Sequence, residues 1–184
     1  MLENIFLSLP MIIVYALLYG VTMKIADLLN EHGLKWFKGS GIVFGILWGL
    51  FGSLLVVSDV TVANVILAMV LVYILRGLVD YKNHALATVM IILSFLAFSN
   101  FQYGIFFIFF FVFLIAGYLK DVVIPYRKFI KKTKICGWWY PVSGLIFALV
   151  TNNWIVFFVL TFFAVFYHII EYSFENEQEK VAGA

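Results

Sequence analysis

The stretch SGIVFGILWGLFGSLLVV, residues 40–57, carries no charged side chain. About 17–25 mostly apolar residues take an α-helix across the roughly 30 Å hydrocarbon core of a bilayer. Helix is the form such a segment must adopt there, because lipid offers no partner to a free backbone N–H or C=O. Residues 40–57 therefore read as a transmembrane helix. Gly41, Gly45, Gly49 and Gly52 recur along it at helical spacing. Small-residue stripes of this kind let helix backbones approach closely in lipid. The stripe is expected to face another helix; lining a substrate groove is the alternative.

The same reading extends outward in both directions. Further spans are expected at 4–23, 62–79, 85–100, 103–119, 137–151 and 154–172. Ser58-Asp59, Ser99-Asn100 and Asn152-Asn153 separate the closely spaced ones, since these side chains bond their own backbone and interrupt a helix at little cost. The 137–151 segment is short, and fits either a tilted span or a re-entrant hairpin with the segment that follows. Pro10 is expected to kink the first span, and Pro141 to sit harmlessly near the start of the sixth. The expected fold class is all-α: a polytopic transmembrane helix bundle of about seven spans, as one domain over residues 1–172. A polar cytoplasmic tail, 173–184, is expected to be solvated and mobile.

Charge tests this division. Lysine and arginine collect in cytoplasmic loops. Seven spans with the N-terminus outside put Lys24, Lys35, Lys38, Arg76 and Lys82 on the inner side. Lys120, Arg127, Lys128, Lys131, Lys132, Lys134 and Lys180 join them there, which accounts for all 12 basic residues. Glu3 and Asp59 stay outside. The expected topology is N-out, C-in, in the cell membrane.

Composition supports a lipid setting and excludes others. Of 184 residues, 65% are hydrophobic and only 12% charged, where soluble domains have about 25% charged. A net charge of +2 gives no reason to expect nucleic acid as a partner; membrane lipids are the expected surroundings. Cys136 is the single cysteine, so no intramolecular disulfide forms. The first apolar run lacks the basic start and small-residue cleavage site of a signal peptide and is expected to remain as an anchor.

The polar residues that carry chemistry fall at the inner span ends. Asp27 and Glu31 are four apart, hence on one face of a helical extension of the first span closed by Gly33. A divalent cation would relieve their mutual repulsion, and Mg²⁺ binds carboxylate together with phosphate oxygens. The alternative is a solvated helix end with Lys24 paired to Asp27 and His32 simply interfacial. If helix runs through 76–84, then Arg76, Asp80, Asn83 and His84 share a face. Asp80 and His84 are the expected catalytic pair, with Arg76 and Asn83 binding substrate. The alternative is an Asp80–Arg76 ion pair with Asn83 capping the next helix. Lys120 and Arg127 are further candidate phosphate contacts, and Asp121 a further metal ligand. They belong to a basic stretch, 120–134, interleaved with Tyr126, Phe129 and Ile130, which would otherwise serve as a lipid-headgroup anchor. His168 and Glu171, three apart, are a weaker candidate metal pair.

No phosphate-binding glycine loop, Gly-x-Ser-x-Gly, His-Glu-x-x-His or Cys-x-x-Cys is present. The acidic pairs with Asn83 faintly resemble the Asp-rich elements by which intramembrane polyprenyl transferases hold a prenyl diphosphate through Mg²⁺. Those proteins are larger and neither full motif occurs here, so membership is not assigned. Two function classes stay open. One is an inner-leaflet enzyme acting on a phosphorylated lipid or polyprenyl substrate with a divalent metal. The other is a carrier, channel or accessory protein without chemistry. The absence of any charge at a span centre counts against a proton-coupled pump.

Overall fold

The computed structural model describes residues 7–31, 34, 36–123 and 138–182, with the side chains of 120–123 and 179–182 excepted. Among the described residues every regular element is an α-helix: α1 Leu9–Glu31, α2 Ser40–Ser58, α3 Val60–Leu75, α4 Lys82–Phe98, α5 Tyr103–Val123, α6 Trp139–Thr151 and α7 Ile155–Ala182. His32, Gly33, Lys35, Arg127 and Cys136 lie outside the described residues.

By length and composition α1, α2 and α7 (to Gln178) are apolar enough to cross a membrane. The other four are apolar but shorter. At about 1.5 Å per residue, the 13-residue α6 reaches only about 20 Å. The outward faces are oily: Leu93, Leu96, Phe98, Ile108, Leu149 and Val150 are each more than half exposed. That surface suits lipid and not water.

The expected breaks are found, with their causes. Asp59 accepts a hydrogen bond from the Val62 N–H at 2.9 Å and so starts α3 directly after α2. Asn152 takes a left-handed conformation (φ 57°) and ends α6. The Asn64 amide donates to the Asn100 carbonyl at 2.9 Å and accepts from the Gln102 N–H at 2.8 Å, which ties the α4–α5 turn to α3. The polar segment after Tyr172 continues α7 to Ala182. Its Glu, Gln and Lys residues are good helix formers.

The glycine stripe faces helices. A Cβ on Gly45 would lie 2.6–2.8 Å from Asn83 backbone and Cβ atoms, and one on Gly49 would press on Ala87 and Met90 of α4. Gly52 abuts Ile91 and Tyr19, while Gly41 meets Asn30. On the other side of α1, a Cβ on Gly20 would run into the Phe163 carbonyl of α7. Close backbone approach thus links α2 to α4 and α1 to α7. The side chains from Thr61 to Val70 of α3 are all buried, so α3 occupies the middle of the bundle.

These contacts make successive helices alternate end to end. The α2–α3, α4–α5 and α6–α7 turns meet at one end, where Asn153 reaches Thr61. The C-terminal ends of α1, α3 and α5 gather at the other with the start of α4 and the latter half of α7. Nearly all the charge of the described residues lies there.

Candidate functional site: a polar chamber at one end of the bundle

The chamber begins with how α3 stops. Gly77 adopts φ 68°, the Gly77 N–H donates to the Ile74 carbonyl at 3.0 Å, and the Leu78 N–H donates to the Tyr73 carbonyl at 2.9 Å. This is a Schellman closure with glycine in the left-handed position. Helix therefore does not run through 76–84; it resumes at Lys82, and the continuous face expected for Arg76, Asp80, Asn83 and His84 does not exist. Gly77 is the sequence signal for that stop.

The turn nevertheless brings most of these residues to one cavity of about 510 Å³. Arg76, Asp80 and His84 line it, as do Asp27 and Glu31 from α1 and His168 and Glu171 from α7. Arg76 lays its guanidinium over Gly117 of α5, where a Cβ would lie 2.7 Å away. Asn83 does not line the cavity. Its amide donates to the Ala26 carbonyl at 3.3 Å while its backbone backs onto Gly45, which joins α4 to α1 and α2. The N-terminal cap of α4 is Tyr81, without a side-chain cap bond. Lys120 and Asp121 fall in the last turn of α5, and their side chains, like Arg127, are outside the described residues.

His84 is the centre of the arrangement. It precedes the apolar stretch of α4 and its side chain is only 5% exposed. Nδ1 stands 3.1 Å from the Leu78 carbonyl and 3.2 Å from Asp80 Oδ1. Nε2 lies 3.2 Å from Asp27 Oδ1 and 3.9 Å from Glu31 Oε1. Despite that proximity, Nε2 makes no hydrogen bond of acceptable geometry among the described residues. Trp48 and Tyr81 present ring faces or edges at 5.5 Å and wedge the imidazole in place. Burial opposes a charge on this ring, and the Asp27 carboxylate, the Leu78 carbonyl and Glu31 favour one.

One coordinating atom from each of Asp27, Glu31 and His84 lies within 4.8 Å of the others, a separation one metal ion can bridge. Asp27 and Glu31, expected as ligands, thus lie beside His84, expected with Asp80 as the catalytic pair. The three come together, and Asp80 stands behind His84.

Tyr73, Tyr140 and Tyr167, which sequence reasoning passed over, also line the chamber, and Lys24 stands behind Glu171. Lys24, expected on a solvated surface, is buried; its Nζ bonds Glu171 Oε1 at 2.9 Å and lies over the Tyr167 ring at 4.7 Å. Tyr167 donates to Asp27 Oδ2 at 2.9 Å. His168 Nδ1 meets Glu171 Oε2 at 2.9 Å, so this pair is bonded to itself and does not converge on the three ligand atoms. Tyr73 and Tyr140 share a hydroxyl–hydroxyl bond of 3.0 Å on the cavity wall. The spacing 24, 27, 31 places Lys24 on the acidic face of α1, which was the available clue.

Among the described side chains that line it the bias is negative: Asp27, Glu31, Asp80 and Glu171 against Arg76, with Lys24 paired to Glu171 from behind. A proton on His84 or a bound cation meets that excess. Comparison of the chain with protein-family models, with curated proteins and with solved structures finds no match, so the site stands on its own chemistry.

Proposed function

We propose that this chain is a multi-pass membrane protein of about seven helices, N-out and C-in, whose chamber opens to the cytoplasmic leaflet. There it acts as an enzyme on a phosphorylated lipid or polyprenyl substrate, with a divalent cation. The observation that carries this reading is the meeting of Asp27, Glu31 and His84 ligand atoms on a cavity that Arg76 also lines. Carboxylates at a low-dielectric boundary are costly without compensation. A divalent cation would supply it, and would neutralise a phosphate brought against the same ligands.

Each chamber residue then has a task. Asp27, Glu31 and His84 hold the cation, Asp80 orients His84, and Arg76 takes a phosphate oxygen in its planar fork. Lys120 and Arg127 follow from α5 as further phosphate contacts, and Asp121 as a further ligand. The apolar walls from Val72, Phe113 and Phe163 receive the hydrocarbon part. The orientation rests on the charge: Arg76 and Lys82 lie at the chamber end, the sequence assigns the other basic residues to loops of the same side, and such loops stay in the cytoplasm.

The second reading, a carrier or accessory protein, has one observation in its favour. Lys24, Glu171, His168 and Tyr167 satisfy one another without any ligand, as a purely structural network would.

The test is the melting temperature of detergent-solubilised protein after chelation, titrated with Mg²⁺, Mn²⁺ and Zn²⁺, with and without a polyprenyl diphosphate. At least one cation is expected to stabilise the native state, by about 2.7 kcal/mol at a hundredfold excess over Kd. Asp27→Asn is expected to abolish that gain while leaving the protein folded. Indifference to all three cations would favour the carrier or accessory reading.

A further inference from the structure

A question the proposed function leaves open is which cation the site takes, and the donor atoms answer it. Resting on that reading, we infer that Asp27, Glu31 and His84 form a mixed nitrogen–oxygen site for a first-row transition divalent cation of the Mn²⁺, Fe²⁺ or Zn²⁺ type, in preference to Mg²⁺.

The argument starts behind the ring. A metal-binding histidine offers one nitrogen to the ion and secures the other to a carbonyl or carboxylate, which sets the tautomer. His84 Nδ1 has both partners, the Leu78 carbonyl and Asp80 Oδ1. The Nδ1 proton belongs there, and in the neutral ring Nε2 is left with its lone pair. Nε2 stands 3.2 and 3.9 Å from two carboxylate oxygens, off the line of a hydrogen bond to either. Three acceptor atoms within 4.8 Å of one another repel unless something positive lies between them.

The carboxylates are prepared in the same way. Tyr167 occupies Asp27 Oδ2, so Oδ1 is the oxygen turned to His84. Ligand atoms about 2.1 Å from one ion and at right angles stand about 3 Å apart. The Asp27–His84 separation already meets that distance, and Glu31 stands 3.9 Å from the same nitrogen.

Donor type then selects the ion. Mg²⁺ binds oxygen, dehydrates reluctantly and is seldom given an imidazole. Imidazole suits zinc and iron, and mixed nitrogen–carboxylate sets accept manganese. Three protein ligands leave further positions free on the chamber side, where Arg76 stands, so a phosphate oxygen can join the ion without displacing protein.

The test uses the metal alone on the full chain in detergent. Mn²⁺ bound to stripped wild-type protein is examined by electron spin-echo modulation, which reports a directly bound nitrogen, and Mg²⁺ and Zn²⁺ are titrated in competition. One ¹⁴N coupling is expected, with Mn²⁺ and Zn²⁺ each binding at least tenfold more tightly than Mg²⁺. His84→Gln is expected to remove the coupling. Asp80→Asn is expected to weaken binding about 10–100-fold, as loss of an orienting partner does, with the coupling kept. Bound Mn²⁺ without nitrogen coupling, or with a coupling that survives His84→Gln, would overturn the inference. So would a site that prefers Mg²⁺; either result leaves the enzyme reading in place. Failure of folded wild-type protein to bind any of these ions would remove both the inference and the metal site under it. The wild-type comparison stands even if His84→Gln does not fold.

Discussion

Lys24 is the residue whose surroundings differ most from what its neighbours in sequence suggest. A lysine at the end of an apolar run is ordinarily drawn toward headgroups, yet here its ammonium is held between Glu171 and the Tyr167 ring. Removing one partner of a buried ion pair leaves the other uncompensated, at a cost on the order of 3 kcal/mol. Lys24→Met is therefore expected to lower unfolding free energy by about that amount, read by denaturant unfolding in mixed micelles. Adding Glu171→Gln should recover most of the loss, because an amide can keep the His168 contact without needing a cation. Equal instability of the single and double variants would mean that Lys24 matters for packing and not for charge. Tyr167 tests the same network from the metal side. Tyr167→Phe removes the donor to Asp27 Oδ2 together with a long 3.4 Å contact from Lys24 Nζ, so cation affinity should fall about tenfold while the fold persists. Unchanged affinity would show that Asp27 needs no such orientation.

At the scale of elements, the α2–α4 contact decides whether the site assembles. Asn83, against which Gly45 packs, is the neighbour of His84. A methyl group at Gly45 has no room, since the atoms it meets include α4 backbone. Gly45→Ala should destabilise the bundle by about 1–3 kcal/mol and weaken cation binding as well, because the helices must separate where His84 is seated. Gly104→Ala is the matched control: nothing lies within 4 Å of a Cβ there, so it should be neutral or gain a few tenths of a kcal/mol. Similar melting temperatures for the two variants would show that α2 and α4 do not approach as closely as described. The other element-scale device is the Gly77 turn. It ends α3 early enough for the Leu78 carbonyl to reach His84, which a continuous helix could not arrange.

For the whole molecule, the alternation of helix ends makes the topology testable. In a Cys136→Ser background, a cysteine at exposed Thr151 should react with an impermeant thiol reagent added outside intact cells. One at exposed Lys82 should react only after permeabilisation. Labelling of both from the same side would break the seven-span, N-out arrangement, and with it the cytoplasmic placement of the chamber. The short α6 is the sensitive element, since Thr151 reaches the outer surface only if that helix completes its crossing or the bilayer thins beside it.

Local chemistry was enough to settle the helices, most of their breaks and the polar residues at their ends. Apolar runs leave a backbone no alternative to helix in lipid, Asp59 and Asn153 interrupt it by accepting backbone N–H groups with their side chains, Asn152 does so by turning left-handed, and charge cannot rest in hydrocarbon. The Gly41–Gly52 stripe was legible as a packing face for a similar reason: its spacing is a property of one helix. The partners of each polar residue were not. Asp27, Tyr167 and His84 are separated by 140 and 57 positions in the chain, and no local rule relates them. Whether Lys24 pairs with Asp27 or Glu171, whether Asn83 faces the cavity or the Gly45 backbone, and which His84 nitrogen is left bare all follow from which helices lie side by side. That choice belongs to close packing over the whole bundle, where one glycine face admits one neighbour, and only the tertiary structure records it.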